Sequence, residues 1–465
     1  MGLKRTLPRH QYTLACSGRN CRGVEHCSST CIVVGLTLAQ ADAGSIKRWV
    51  QIGDREEAPA AALIILATAS WSASGLPMNM QKQLPDYVYL TPEAAQRQSE
   101  RTRQGVYNLL PDEVEWQSRQ QFLEKHGYML RPRYHKGWKP SWIDTNIARD
   151  FCEDGIMSSR PQVLDAKRLE DNSVVSIKIV SKRNQELQVA QFLSSFKDVD
   201  QNHCVAVLDV LSDPLDSERA LMVMPYLRPF NDPELVTVGE VIDFIGQMLQ
   251  VCHGSSVTSR KIDSHFVKGL AFMHEHRVAH RDIAPPNVMM DAKPLYPSGH
   301  HPVKMDYTPD AVYDAIPLSR TEHPVRYYYV DFGLSVRFPE NSPTMVVGDV
   351  GRDDEVPELS STVPYDAFKA DIYALGNLFD KEFVQRYHRL EILQPLIDSM
   401  KQRQPEMRLP AAELVVLFQK INKTVTKNAL RLRLSLKSEA PYERVLNDAV
   451  AVAWNGINNL KRYVG

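Results

Sequence analysis

No apolar run in this chain reaches the roughly 20 residues that a membrane-spanning helix requires. The longest candidate, AAALIILATAS at Ala60–Ser70, is too short and lies too far into the chain for a secretory signal. Seven cysteines in 465 residues are too few for a disulfide scaffold. A formal net charge of −1 gives no bulk attraction to nucleic acid or to an anionic membrane surface. These absences predict an intracellular protein, cytoplasmic or nuclear, that binds neither nucleic acid nor membrane.

Residues 1–80 also lack a sustained helical or strand period. Four cysteines cluster there with the spacing C-x4-C-x5-C-x3-C, at Cys16, Cys21, Cys27 and Cys31. Structural zinc ligands usually come as close pairs, and this spacing fits no common zinc module. We therefore expect the segment to be disordered, or to be sequence that does not belong to the mature protein, with a zinc site as the alternative.

Residues 81–150 have the composition of a folded N-terminal extension. Thr91-Pro92-Glu93 predicts a helix start, because a capping threonine, a proline at the first position and an acid at the positive end of the helix follow one another. Pro111-Asp112-Glu113 repeats this pattern, and Gly127 predicts the end of the second helix. The residues expected on the apolar side of that helix are Val114, Trp116, Phe122 and Leu123.

The stretch His280–Asn287, HRDIAPPN, combines reactive side chains with two consecutive prolines, which exclude a helix interior. An apolar stretch of helical period precedes it at Gly269–Val278, and a strand-like run follows at Val288–Met290. A second strand-like run at Tyr327–Val330 ends in Asp331-Phe332-Gly333. An aspartate and an asparagine five residues apart on a loop, with a second aspartate after a strand, suit phosphoryl transfer. One carboxylate can accept the hydroxyl proton, and the other oxygens can bind magnesium.

These two motifs resemble the H-R-D-L-x-x-x-N and D-F-G signatures of the protein-kinase superfamily. The resemblance implies an α+β fold of two lobes, with a small β-rich N-lobe at residues 151–227 and a mainly helical C-lobe at residues 228–430. It implies ATP and Mg²⁺ as cofactors and Asp282 as the base, or as the group that orients the substrate hydroxyl. Asn287 and Asp331 would then be the magnesium ligands.

The arm at Arg131–Trp142, RPRYHKGWKPSW, mixes basic residues with aromatic ones. Nucleic-acid binding is one interpretation of such a stretch. The interpretation we prefer is an extended arm that packs its aromatic side chains on a neighbouring lobe. Its RPRY and GWKPSW phrases also resemble a fungal group of predicted protein kinases, a resemblance that covers residues 85–465.

In the N-lobe, Ser176-Ile177-Lys178 stands where kinases carry V-A-I-K, which implies that Lys178 holds the α- and β-phosphates. The next helix is expected at Asn184–Phe196, and its one acid, Glu186, is the candidate ion-pair partner of Lys178. The strands expected on either side of an Asp171-Asn172 turn are Gln162–Leu169 and Ser173–Val180.

The glycine-rich loop with which kinases cover ATP is largely missing. The matching span, Asp154–Pro161, holds one glycine, and its proline lacks a backbone N–H. Ser158 and Ser159 could replace the lost donors with hydroxyl groups. By the same resemblance, the hinge residues that would bind the adenine are Met224, Tyr226 and Leu227.

Two stretches interrupt the kinase pattern. VIDFIGQMLQ at 241–250 and GLAFMHEHRV at 269–278 would join as one helix, but the polar stretch 251–268 separates them. We interpret 251–268 as a retained intron, with a genuine surface loop as the alternative. Residues 291–326 form a second insert, which we interpret as a surface loop. It either binds a partner or substrate or has no function, and its removal should leave the fold intact.

The stretch 331–358 corresponds to an activation segment. Ser342 and Thr344 are candidate phosphorylation sites, because a phosphate there could pair with Arg281. The segment ends in three acids, which favour a basic protein substrate, at Asp353, Asp354 and Glu355.

Two residues beyond the catalytic motifs match architectural positions of kinases. Asp371, within a D-x-Y-x-x-G pattern, would brace the backbone of His280–Asn287, which corresponds to the catalytic loop of kinases, and Arg408 would pair with Glu358. Small-molecule phosphotransferases related to kinases usually lack these features. Residues 431–465 close the chain as a tail.

The resemblance thus predicts an ATP- and magnesium-dependent kinase that phosphorylates a protein hydroxyl, with serine or threonine as the expected class. The alternatives are a pseudokinase scaffold that binds nucleotide weakly, because the glycines are missing, and a small-molecule phosphotransferase. Serine/threonine kinases carry a lysine where this chain has Ala284, and tyrosine kinases carry an arginine in this loop, which is also absent. The hydroxyl class and the oligomeric state therefore stay open.

Overall fold

The computed structural model describes residues 84–158, 160–196, 202–249 and 269–451. The predictions for residues 1–80, for Ser159 and for the stretch 251–268 therefore lie outside the described residues. None of the described helices is long and apolar enough to cross a membrane.

The extension contains two helices, α1 at Pro92–Arg103 and α2 at Pro111–Lys125. Their predicted starts are confirmed: the N–H of Ala94 donates to Thr91 Oγ1 (3.4 Å), and each helix has proline in its first turn. The predicted end at Gly127 is confirmed as well, since this glycine adopts a left-handed φ of 87°.

One residue predicted on the apolar side of α2 is misplaced. Val114 is 47% exposed, whereas Trp116 and Leu123 are buried against the N-lobe sheet. The buried side of α2 is partly ionic, because Glu113 pairs with Arg133 (Nε–Oε1 2.6 Å). The spacing of apolar residues in the sequence does not reveal this buried side of α2, because the carboxylate of Glu113 occupies a position that a hydrophobic residue would normally fill.

The N-lobe sheet joins five described strands in the order β1-β2-β3-β5-β4, and every neighbouring pair is antiparallel. The helix α3, Gln185–Ser194, follows β3 after a three-residue turn. The first strand comes from the extension, so the extension completes the sheet rather than only covering it. The strands are β1 Tyr128–Met129, β2 Val163–Arg168, β3 Val174–Ser181, β4 Asp209–Ser212 and β5 Arg219–Pro225.

The C-lobe is mainly helical and surrounds a large apolar core in which Phe244 stacks on Phe230 (ring centroids 4.6 Å apart). Its helices are α4 Val238–Leu249, α5 Gly269–Glu275, α6 Ala367–Phe379, α7 Gln394–Met400, α8 Ala411–Thr424 and α9 Lys427–Leu430. Its strands are β6 Arg228–Pro229, β7 Val278–Ala279, β8 Val288–Asp291, β9 Arg326–Tyr329, β10 Val336–Arg337, β11 Met345–Gly348 and β12 Ser360–Asp366. The predicted two-lobed α+β fold is confirmed.

The C-terminal end of α4 and the N-terminal end of α5 lie next to each other. A Cβ built on Gly269 would lie 2.3 Å from the carbonyl oxygen of Met248 and 2.6 Å from that of Gln247. In an uninterrupted helix, the residue after Gln250 would bond to the carbonyl of Gln247, four residues earlier. The flanks therefore meet where a continuous helix would run, although the intron hypothesis itself stays a prediction.

Candidate active site

Lys178 lies on β3, the central strand of the N-lobe sheet, and its ammonium contacts two carboxylates. It forms an ion pair with Glu186 in the first turn of α3, and its Nζ lies 2.9 Å from Asp331 Oδ1. Burial disfavours the charged form of both Lys178 and Asp331, but the attraction of opposite charges outweighs it: Glu186 and then Asp331 raise the pKa of Lys178, and Lys178 lowers the pKa of Asp331. Both groups are therefore charged at neutral pH.

The turn that follows β9 fixes the direction of Asp331. Asp331 adopts a left-handed φ of 67°, and Phe332 is buried beside it. A Cβ on Gly333 would lie 3.2 Å from Asp331 Oδ1 and 3.6 Å from Glu186 Oε2. A Cβ here would require the Asp331 carboxylate to move by a few tenths of an ångström, whereas its contact with Glu186 would be ordinary.

The catalytic loop is held from beneath by Asp371, as predicted. The buried carboxylate of Asp371 accepts the backbone N–H groups of His280 (2.8 Å) and Arg281 (2.7 Å). The His280 ring is fully buried against Phe332, and burial lowers the pKa of His280. The imidazole is therefore neutral and structural.

Asp282 and Asn287 face each other across this loop. The Asn287 Nδ2 donates to Asp282 Oδ2 (2.7 Å) and to the Asp282 carbonyl (2.8 Å). The backbone N–H of Arg352 donates to Asp282 Oδ1 (2.7 Å), and its Nε lies 3.5 Å from Oδ2. Sequence analysis did not identify Arg352. Two features of the sequence together could have pointed to it. The catalytic loop has Ala284 where serine/threonine kinases carry a lysine, and Arg352 is a single cation near the end of the activation segment.

The side chains of Asn287 and Asp331 carry the kind of oxygen atom that binds magnesium. Both offer oxygen ligands, the kind that Mg²⁺ prefers, and Asn287 uses its amide nitrogen on Asp282, which leaves its oxygen for a metal. Within the described ranges, no cluster of three or more His, Cys, Asp or Glu side chains could hold a metal by itself. This agrees with the usual magnesium site, in which one or two protein groups act together with substrate phosphates.

A cavity of about 170 Å³ lies between the two lobes, beside the hinge. Ser158, Tyr226 and Leu227, three of the predicted nucleotide-binding residues, line it. Met224 lies on β5 opposite Ser176 and is not part of the lining. The other lining residues are Arg160, Val163, Asp165, Ser176, Pro229, Met289, Pro302, Val303 and Met305.

Three of these lining residues belong to the insert 291–326, which docks on the hinge. The Tyr226 hydroxyl donates to the carbonyl of Pro302 (2.8 Å), and the buried Arg228 donates to the carbonyl of Met305 (2.7 Å). Lys304 Nζ lies 3.5 Å from the centre of the Tyr307 ring. The insert is therefore more than a peripheral loop, because its inner side is a wall of this cavity, whereas the expectation that its removal leaves the fold intact stays a prediction.

The activation segment is anchored at its end, as predicted, by a bidentate ion pair between Arg408 and Glu358 (Nη2–Oε2 2.8 Å). Arg281 does not contact either candidate phosphorylation site in the structure. Its guanidinium donates to the carbonyl of Val347 (3.0 Å), and Thr344 Oγ1 bonds to Asp366 (2.9 Å).

The acidic end of this segment is partly neutralised within the protein. Asp353 accepts from Asn377 Nδ2 (2.8 Å), and Glu355 pairs with Lys381 (2.9 Å). These contacts weaken the argument for a basic substrate, since two of the three acids already have partners.

The arm Arg131–Trp142 is buried in part: Tyr134 packs against the N-lobe sheet, as preferred from the sequence, whereas Lys136 and Lys139 are exposed. Trp142 is fully buried and donates through Nε1 to Thr102 Oγ1 (2.9 Å). Arg131 is also buried and lies 3.0 Å from Asp165 of β2. Its positive charge therefore serves an internal ion pair.

Comparison with known proteins finds a matching family model and similar curated proteins. Residues 159–386 match the family model of the protein kinase domain. A segment of 129 residues is 25% identical to the serine/threonine-protein kinase fused of Drosophila melanogaster, and it covers 28% of this chain but 14% of that kinase. The likeness to a fungal group stays a prediction. The two-lobed structure and the matched segment together show the fold of a protein kinase domain over residues 159–386.

Proposed function

We propose that this protein transfers the γ-phosphoryl group of ATP to a hydroxyl of a protein substrate, with serine or threonine as the expected class. One observation carries the proposal: Lys178 is bound to both Glu186 and Asp331, while Asp282 and Asn287 share a hydrogen bond on the catalytic loop. This set contains a phosphate-binding cation, a proton acceptor and two metal-ligating oxygens. Phosphoryl transfer needs these groups and little covalent chemistry.

Each residue has a separate task in this proposal. Lys178 binds the α- and β-phosphates, and Glu186 holds Lys178 in position. Asp282 orients the substrate hydroxyl and accepts its proton. Magnesium held by Asn287 and Asp331 would neutralise phosphate charge.

A pseudokinase scaffold is the second candidate. The span Asp154–Pro161 has one glycine, and the cavity of about 170 Å³ is smaller than the roughly 300 Å³ at which ligand pockets usually begin. Tyr226 ties the insert to the mouth of this cavity. ATP binding would therefore require the insert or the loop around Ser158 to shift.

A third candidate, a small-molecule phosphotransferase, is less well supported. The Glu358–Arg408 pair and the brace at Asp371 are features that such enzymes usually lack. A protein substrate is therefore the better proposal.

The test is transfer of labelled γ-phosphate from ATP to a basic and an acidic generic protein, with excess Mg²⁺ or with EDTA. We expect labelled phosphate on serine or threonine of the protein in the presence of Mg²⁺ and none in the presence of EDTA. Magnesium-dependent label on small metabolites but not on protein would favour the phosphotransferase. No transfer, together with no effect of ATP on the melting temperature, would favour the scaffold.

A further inference from the structure

The catalytic loop, His280–Asn287, carries no cation after Asp282. Ala284, two residues after Asp282, is a buried alanine, and residues 282–287 contain no lysine or arginine. The transferring phosphoryl group carries negative charge that a nearby cation stabilises. Lys178 is already bound to Glu186 and Asp331, so it serves the other side of the site.

Among the described residues, Arg352 is the cationic side chain that pairs with Asp282. Its Nε lies 3.5 Å from Asp282 Oδ2, and its backbone N–H donates to Oδ1 at 2.7 Å. The Arg352 side chain is 51% exposed, whereas that of Asp282 is 11% exposed. The guanidinium therefore approaches Asp282 from the solvent-exposed side.

The position of Arg352 is fixed on both sides. Before it, Gly351 packs against the catalytic loop, since a Cβ built on Gly351 would lie 3.5 Å from the carbonyl oxygen of Arg281. After it, Asp353 accepts from Asn377 of α6 (2.8 Å), and Glu358 is held by Arg408. The segment thus presents Arg352 to Asp282 through anchored neighbours.

Stability does not explain this contact. An ion pair with a half-exposed arginine contributes little to folding, because water screens it. The same pair matters more in a closed active site, where water is excluded and charge develops on the phosphoryl group.

We propose that Arg352 supplies the cation that the catalytic loop lacks after Asp282, an inference that rests on the proposed kinase function. Its backbone N–H and guanidinium orient Asp282, and its free guanidinium nitrogens face the transferring phosphoryl group.

In the phosphoryl-transfer step, the substrate hydroxyl oxygen forms a bond to the γ-phosphorus. The bond from the γ-phosphorus to the β,γ-bridging oxygen breaks, and its electron pair leaves on ADP. The hydroxyl proton passes to Asp282.

The test compares Arg352→Ala and Arg352→Lys with the unmodified full chain, with kcat and the KM for ATP measured separately. Both variants keep the backbone N–H, so only the side chain is tested. Arg352→Ala should lower kcat about 10²-fold or more and leave the KM for ATP and the melting temperature unchanged. Arg352→Lys should recover part of the loss, since it restores the charge without the planar group.

The matched control is Arg183→Ala, which removes another ion-paired arginine, one that is 77% exposed and pairs with Glu218 away from the site. It should leave kcat unchanged. An unchanged or raised kcat in Arg352→Ala would overturn the inference, as would a loss that appears only in KM or in melting temperature. If the unmodified protein transfers no phosphate at all, the kinase proposal itself fails, and this inference fails with it.

Discussion

Lys178 joins three elements of the fold through one nitrogen atom. Its ammonium, carried on β3, contacts Glu186 of α3 and Asp331 beyond β9. Glu186 is buried and Lys178 is largely so. Removing one partner of a buried ion pair leaves an uncompensated charge, which is strongly destabilising. The same contact that positions the phosphate-binding cation therefore also supports the fold.

Lys178→Met should accordingly reduce both stability and nucleotide binding. We expect the free energy of unfolding to fall by ~3 kcal/mol, because two carboxylates remain together without their cation. Denaturant titration would measure this. The double variant Lys178→Met/Glu186→Gln removes one of those carboxylates, so it should regain part of the stability but no response to Mg-ATP. A single variant as stable as the unmodified protein would contradict this account of the ion pair.

Among individual residues, those that lie inside motifs could be predicted from the sequence. Asp282, Asn287 and Asp331 could be found because their neighbours define the loop and the strand that carry them. Arg352 could not be located in the same way, since its contact with Asp282 spans 70 residues and depends on how the activation segment folds back. The exposure of Val114 was missed because Glu113 is buried through an ion pair with an arginine from a later segment.

The insert 291–326 is the element that departs most from its sequence interpretation. Its prolines and histidines are typical of a surface loop, yet Leu295, His301 and Ala311 are fully buried. Its position depends on partners outside it, above all the hydroxyl of Tyr226 and the guanidinium of Arg228. Composition alone does not reveal such docking, whereas the helix starts were predicted because capping depends on adjacent residues.

His301 makes the stability of this insert depend on pH. Its Nδ1 accepts the backbone N–H groups of Val303 (3.1 Å) and Lys304 (2.9 Å), while its Nε2 lies 4.0 Å from Glu153 Oε1. Burial, and then the positive charge of Arg131, lower the pKa of His301 to about 4 from 6.5. As the pH falls below 6.5, His301 becomes protonated in the unfolded chain, whereas in the folded protein it stays neutral until about pH 4. Stability should therefore decrease across this window, by ~2–3 kcal/mol.

The variant His301→Asn isolates this effect, because the amide oxygen can still accept the two backbone N–H groups but does not titrate. The free energy of unfolding should be measured for both proteins at pH 7 and at pH 4.5. We expect the loss between these two values to be smaller in the variant. An identical loss in both proteins would show that His301 does not titrate as described.

The interruption between α4 and α5 gives a second prediction for an element. A chain without residues 251–268 should form one helix from Val238 to Glu275, because Gly269 already lies against the carbonyls of Gln247 and Met248. It should melt at the same temperature or higher, since the connection no longer has to be closed. The control is a chain in which a Gly/Ser linker of equal length replaces these residues, and it should melt like the unmodified protein. A lower melting temperature of the shortened chain, or transcripts that all retain these codons, would contradict the intron hypothesis.

At the scale of the whole molecule, the candidate site needs both lobes. Lys178 and Glu186 come from the N-lobe, whereas Asp282, Asn287 and Asp331 come from the C-lobe. The resemblance of its motifs to those of protein kinases was enough to predict this two-lobed arrangement. It was not enough to predict that the extension supplies a strand to the sheet, because β1 has two residues and leaves no periodic signal.

The central claim, that Asp282 accepts the proton of a substrate hydroxyl, is tested most directly by Asp282→Asn. The substitution keeps the shape of the side chain and removes the proton acceptor, while Lys178 and Asp331 remain. Phosphate transfer to protein and the rise in melting temperature with Mg-ATP should be measured on the same purified samples. We expect transfer to fall ~10²–10⁴-fold and the thermal shift to persist. Transfer at the unmodified rate would contradict the proposed mechanism.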